Sequence, residues 1–172
     1  SVISFFSVYS KEINLVESAS FFYIVFASVI FFSRPFIGRF FDFKGENLIM
    51  YSAIIVFMIG IIIFSQARHG YMLLSAGALI GLGFGAIQSS GQAIAVKTTE
   101  QHRMGLATST FYMLADVGMG IGPLIFGLFI PFTGYRGMYL SVAVIMGVSI
   151  LLYYLLHGND ENRKKMQTVL GA

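Results

Sequence analysis

A single carboxylate, Asp116, sits inside a long apolar run, residues 111–127, that holds no other acid and no base. An acid in such surroundings has two uses. Burial disfavours its charged form and raises its pKa, so it can take up and release a proton; or it stays hydrogen-bonded and ties helices together. If the helix begins near Gly105, a rise of about 1.5 Å per residue puts Asp116 roughly 16 Å along it, near the middle of a hydrocarbon core about 30 Å thick. A charge at that depth costs about 2.5–3.5 kcal/mol even on insertion scales, so the side chain is expected to face the interior of a helix bundle. Ser109, Tyr112, Asp116, Gly120 and Pro123 share its face at three- and four-residue steps. Gly118 and Gly122 fall on a different face, where small residues let another helix approach closely. Pro123 lacks a backbone donor and is expected to kink the helix.

A second polar set lies upstream. Gln88 and Gln92 are four residues apart, hence on one helix face, and suit either polar contacts along a transport path or hydrogen bonds between helices. Gly77, Gly81, Gly85 and Ser89 form a stripe of small residues at the same spacing, which favours close helix packing. Gly81-Leu-Gly-Phe-Gly85 has the look of a dinucleotide fingerprint, but no strand precedes it and the spacing is wrong. His69, His102 and His157 stand at the ends of apolar runs without ligand spacing, so no metal site is expected. No Ser/His/Asp arrangement is readable and there is no phosphate-binding G-x-x-x-x-G-K-[S/T] loop. An enzyme is therefore not expected, nor a cofactor.

The elements that must position these residues are long and apolar. Of 172 residues 56% are hydrophobic and 11% charged, with a mean hydropathy of +0.79; soluble domains carry roughly a quarter charged residues. The absence of cysteine rules out disulfides and zinc–thiolate sites within the chain. Apolar runs of spanning length, about 20 residues, occupy 18–38, 48–65, 71–95, 105–132 and 137–156. Residues 1–9 are too short and read as the last turns of a further span, and the chain, which starts at Ser1, as part of a longer protein. Polar connections fall at 10–17, 39–47, 66–70, 97–103 and 133–136. Lipid offers the backbone no hydrogen bonds, so the runs must be helices; they are longer than barrel strands and do not alternate. The fold class expected is an all-α integral membrane bundle with one partial and five complete transmembrane helices.

The pI of about 9.2 does not signal nucleic acid, because the basic residues are scattered among short loops instead of forming one face. They sort by side. Arg34, Arg39, Lys44, Lys97, Arg103, Arg163, Lys164 and Lys165 lie at one set of helix ends; Lys11, Arg68 and Arg136 lie at the other. Eight against three makes the first side cytoplasmic, with the tail inside.

The connection Gly38-Arg-Phe-Phe-Asp-Phe-Lys-Gly-Glu-Asn47 follows Ser33-Arg-Pro35. Gly38 and Gly45 allow a tight turn, and Asp42 is placed to accept hydrogen bonds at the start of the next helix. Arg34 and Arg39 are its candidate ionic partners, and Arg34 alternatively snorkels to the interface. This pattern, G-x-x-x-D-x-x-G after R-P, resembles the cytoplasmic loop signature of the major facilitator superfamily, although Phe43, Glu46 and Asn47 stand where the family usually has basic residues. Gly118-x-x-x-Gly122-Pro123 is similar to the glycine-proline helix of that superfamily's drug–proton antiporters.

The resemblance implies a further set of expectations. The first half of such a transporter carries an arginine in its fourth helix. Residues 71–95 contain none, and the chain ends in a charged tail, so the resemblance points to the C-terminal six-helix half, residues 1–157, with a cytoplasmic tail at 158–172. Its partners would be the lipid bilayer, the N-terminal half of the same transporter, a small-molecule substrate and protons; no nucleic acid is expected. The function implied is secondary transport across the cell membrane by alternating access, as proton-coupled efflux of a small apolar or cationic compound. The candidate coupling residues are Asp116, Tyr112, Gln88 and Gln92. Uptake of a sugar, amino acid or other metabolite by the same fold is the nearest alternative, and a non-transporting membrane subunit is another.

Overall fold

A computed structural model describes residues 2–12, 15–44 and 46–155. Five α-helices and one short 3-10 turn follow in order: α1 (Val2–Glu12), α2 (Val16–Lys44), α3 (Glu46–Ser65), α4 (Gly70–Lys97), the turn (Gln101–Arg103) and α5 (Met104–Tyr153). Four stretches, Ser18–Arg39, Asn47–Ser65, Gly70–Lys97 and Gln101–Tyr153, are long and apolar enough to cross a membrane. Backbone groups in lipid must be satisfied internally, and helices do that.

The two spans expected at 105–132 and 137–156 arrive as one helical element, α5, broken at Gly134. A straight rod of 50 residues would reach about 75 Å, more than twice the hydrocarbon thickness. Gly134 has φ 66° and ψ 175°, a left-handed setting that glycine adopts without steric cost. Contacts on either side show that the chain doubles back there. Tyr112 meets Gln92 of α4. Tyr153, far along the chain, meets Asn47, at the same end of the bundle. The first arm, 104–133, and the second, 135–153, are therefore antiparallel.

Close backbone approaches set the register of the bundle. A Cβ added to Gly77 would strike the Phe22 ring, one on Gly81 would lie 2.9 Å from the Phe26 carbonyl, and one on Gly85 would touch Ile30 and Ser33. Positions four apart on α4 thus meet positions four apart on α2, and the two helices run parallel. Helix α3 runs antiparallel to α4: a Cβ at Gly83 would lie 2.6 Å from Cβ of Phe57, and one at Gly60 would lie 2.9 Å from the Ile80 backbone nitrogen. The second arm of α5 runs along α3, with Tyr139 against Phe64, Gly147 against Met58 and Tyr153 against Tyr51. In lipid, where apolar attraction between helices is weak, such small-residue contacts are a main source of association.

An aromatic cluster closes the end of the bundle away from Lys97. Phe6 stacks on Phe22 with centroids 4.1 Å apart, and Tyr9 and Phe64 both pack against Tyr139, at 5.1 and 4.7 Å. The Tyr9 hydroxyl lies 3.2 Å from the Phe64 carbonyl and 3.0 Å from that of Ser65. These carbonyls end α3 and lack partners within the helix, so Tyr9 satisfies part of that deficit.

Two expectations need correction. The connection at 39–47 is much shorter than its charges suggest: α2 continues to Lys44, so Gly38 and Arg39 are helical, and Gly38 does not have a positive φ. Gly45 and the side chain of Asp42 lie outside the described residues, as does the tail from 156 onwards. Helix α1 likewise runs on through Lys11 and Glu12, beyond the expected boundary at Tyr9. Pro123 lies within α5, whose one residue with non-helical φ and ψ is Gly134.

Candidate functional site

Near the basic end, α2, α4 and the first arm of α5 surround a cavity of about 150 Å³ lined by Arg34, Gln88, Ser89, Gln92 and Tyr112. The α2–α4 register explains its composition. Phe22, Phe26, Ile30 and Arg34 form one ridge at four-residue steps, lying along the Gly77, Gly81, Gly85, Ser89 stripe of α4. Where the small residues end, the aromatic and aliphatic ridge ends too, and Arg34 fills its last place opposite Ser89.

The geometry of the pocket is fixed by one bond between helices. The Tyr112 hydroxyl donates to Oε1 of Gln92 at 2.8 Å. One residue before that contact on each helix, a Cβ on Gly91 would lie 2.9 Å from the Phe111 ring, so α4 and α5 meet closely here. Gln88 lies one turn from Gln92 on the same face of α4. Three of the four residues nominated for transport thus line one cavity. Arg34, expected at the loop or snorkelling to the interface, joins them.

Arg34 stands level with Ser89, eight residues before Lys97 and so about 12 Å inside the end of α4. Arginine stays protonated in proteins, and a cation at bilayer depth costs about 2.5–3.5 kcal/mol even on insertion scales unless it faces polar or watery surroundings. The glutamines, the serine and the tyrosine supply such surroundings. No acid among the described residues pairs with it.

Asp116 is one turn further along α5 than Tyr112. It is exposed on this bundle, not turned into it as expected, and it lines none of the cavities described. The reason is visible in α5 as a whole. All its buried residues, Met138, Tyr139, Val142 and Ala143, belong to the second arm, and the first arm has none. Gly118 and Gly120 meet nothing within 4 Å of an added Cβ, whereas Gly122 and Pro123 are half-buried. Gly118 itself therefore packs against nothing among the described residues. Of the glycines nominated for packing, Gly77, Gly81 and Gly85 meet neighbouring helices.

A second, shallower groove of about 500 Å³ opens at the junction of α4 and α5, between Thr98, Thr99, Arg103, Thr110 and Leu114. Among the described residues no group of His, Cys, Asp and Glu is placed to hold a metal ion. His102 sits 3.5 Å from Glu100 at the surface, and His69 stacks on Tyr71.

Residue types and spacing marked Tyr112, Gln88 and Gln92, and missed Arg34 and Ser89 as their companions. The signal was present, because Phe22, Phe26, Ile30 and Arg34 repeat every four residues against a small-residue stripe of the same period.

Residues 1–170 match the family model of the Major Facilitator Superfamily. The chain is 26% identical over 148 residues to citrate exporter 1 of Aspergillus niger, covering 86% of this chain and 28% of that protein. It is 21% identical over 163 residues to efflux pump apf11 of Gibberella fujikuroi, covering 94% of this chain and 29% of the pump. Multidrug resistance protein MdtG of Salmonella dublin is 27% identical over 140 residues, 79% of this chain and 34% of its own length. The chain thus spans about a third or less of each of these relatives.

Proposed function

This chain belongs to the Major Facilitator Superfamily, a family of membrane transporters and not of enzymes, and from that premise we propose that it forms the C-terminal six-helix half of a secondary transporter that exports a small molecule in exchange for protons. The six spans would be α1 to α4 and the two arms of α5. Residues 1–157 would form the membrane half and 158–172 a cytoplasmic tail. The lack of arginine in 71–95 supports assignment to the second half. The basic end, with Arg39, Lys97 and Arg103, would face the cytoplasm.

The observation that carries this reading is the polar cavity of Arg34, Gln88, Ser89, Gln92 and Tyr112 in an otherwise apolar bundle. It opens beside the first arm of α5, which has no fully buried residue. An arm that carries Asp116 is poorly suited to face lipid. A second half laid against α2, α4 and this arm would cover Asp116 and enclose a polar path between the halves. Rocking of the two halves about that path gives alternating access. Covered in this way, the Asp116 carboxyl would be shut off from water on one side of the cycle and reached by it on the other, the placement a proton-carrying group needs. Relatives named as exporters and efflux pumps support the outward direction. The aromatic-rich spans suggest an apolar or cationic cargo, but the cation at the cavity, Arg34, argues for cargo of another charge.

The test uses the intact protein in vesicles with a trapped pH indicator, with citrate and tetraphenylphosphonium offered as cargo. Solute-dependent proton movement is expected from the wild type. It should fall about tenfold or more in Asp116→Asn, with membrane insertion unchanged. Solute movement that carries no protons, or full proton coupling in Asp116→Asn, would overturn the coupling role.

A further inference from the structure

We propose that the cavity walled by Arg34, Gln88, Ser89, Gln92 and Tyr112 binds the carboxylate or phosphate group of the transported molecule, an assignment that rests on the transport reading above. The walls are rich in donors and lack a counter-charge. Arg34 presents up to five N–H groups in a planar fork matched to carboxylate and phosphate oxygens, and no acid among the described residues pairs with it. Tyr112 donates to Oε1 of Gln92 at 2.8 Å. This occupies the carbonyl end of the Gln92 amide and leaves its NH₂ end as donor. Gln88 and Ser89 add a second amide and a hydroxyl at the same level of α4. A cation about 12 Å inside the end of its neighbouring helix, exposed on this bundle and lining one cavity with neutral donors, is open to a ligand that brings the negative charge.

Volume limits what the pocket holds. Sites for drug-sized ligands occupy about 300–1,000 Å³, and this one offers about 150 Å³. One carboxylate or phosphate group fits; the rest of a larger molecule would extend towards the opposite half. The pocket would therefore anchor the anionic end of the cargo and leave its remaining chemistry to be read elsewhere. The bond from Tyr112 joins α4 to the exposed arm of α5, so occupancy of the pocket would bear directly on the element that carries Asp116.

The test is binding of citrate, benzoate and inorganic phosphate to the intact protein in nanodiscs of phosphatidylcholine, with tetraphenylphosphonium as the cationic control. At least one anion is expected to bind. Arg34→Gln should weaken it about tenfold or more, Arg34→Lys less, and Gln92→Leu by several-fold, while tetraphenylphosphonium is unaffected. Should Arg34→Gln fail to fold, Gln92→Leu decides. No anion binding, or unchanged affinity in these variants, overturns the assignment. Nanodiscs containing phosphatidylglycerol separate the two sources of phosphate: loss of soluble-anion binding there would make the occupant a lipid headgroup and overturn the role in cargo binding. Transport without Arg34-dependent anion binding would remove this site and leave the transport reading standing. Arg34-dependent binding without movement of any probe would do the reverse.

Discussion

Tyr112 and Gln92 lie 20 positions apart in the chain and are joined by a 2.8 Å hydrogen bond between α5 and α4. The bond ties a helix arm with no fully buried residue to a helix packed on both α2 and α3. It is the point at which the exposed, acid-bearing arm is connected to the polar cavity.

Tyr112→Phe removes the hydroxyl and keeps the ring. The Gln92 carbonyl loses a partner at an exposed position, so the cost lies at the low end of about 0.5–1.5 kcal/mol. Initial transport rates of the intact protein are expected to fall several-fold, with surface expression unchanged. Equal rates for the two proteins would make the bond incidental.

Two glycines separate packing from exposure. A Cβ at Gly83 would lie 2.6 Å from Cβ of Phe57 and 2.7 Å from its backbone nitrogen, so neither helix can yield by turning a side chain. Gly83→Val is expected to cost about 1–3 kcal/mol or more and to lower the unfolding temperature of the intact protein in detergent. Gly118→Ala, with nothing within 4 Å, should leave the packing of this bundle unchanged. Equal unfolding temperatures for Gly83→Val and the wild type would contradict the α3–α4 register.

Gly134 is the point of return between the two arms. With φ 66° and ψ 175° it occupies a region open in practice only to glycine, and a residue with a Cβ pays about 1–3 kcal/mol there. Gly134→Ala and Gly134→Asn should therefore both lower the unfolding temperature. Unchanged unfolding temperatures in both variants would mean that the turn is not held in this conformation.

Much of this architecture is readable from the residues, for physical reasons that also explain the failures. Apolar runs mark the spans because lipid excludes charge, and 18–38, 48–65 and 71–95 differ from the observed Ser18–Arg39, Asn47–Ser65 and Gly70–Lys97 by only a few residues. The turn expected at 133–136 contains Gly134. Charged residues were a poorer guide to where helices end. Arg39 and Lys44 lie within α2, which runs on past the expected boundary, and Lys11 and Glu12 likewise lie within α1. Direction around a helix axis was the least legible property. Asp116 was expected inside because burial next to lipid is costly. That argument fixes only that the acid avoids lipid and does not say which neighbour covers it. Arg34 was read as a loop or interface residue because its place depends on how α2 sits on α4, which no single segment specifies.

The central claim is that the polar face of the first arm of α5 borders a water-accessible path between two halves. Gly120 and Ile121 offer the most direct test, because they lie at nearly the same depth and about 100° apart around the axis. Gly120 shares the face of Asp116 and has open space for a Cβ; this chain has no cysteine of its own. In the intact protein, with any cysteines elsewhere removed, the labelling rates of Gly120→Cys and Ile121→Cys by a membrane-impermeant thiol reagent are to be compared. Labelling at least tenfold faster at Gly120 is expected for an aqueous path, since thiolates form readily in water and poorly in apolar surroundings. Equal rates, or faster labelling at Ile121, would contradict it.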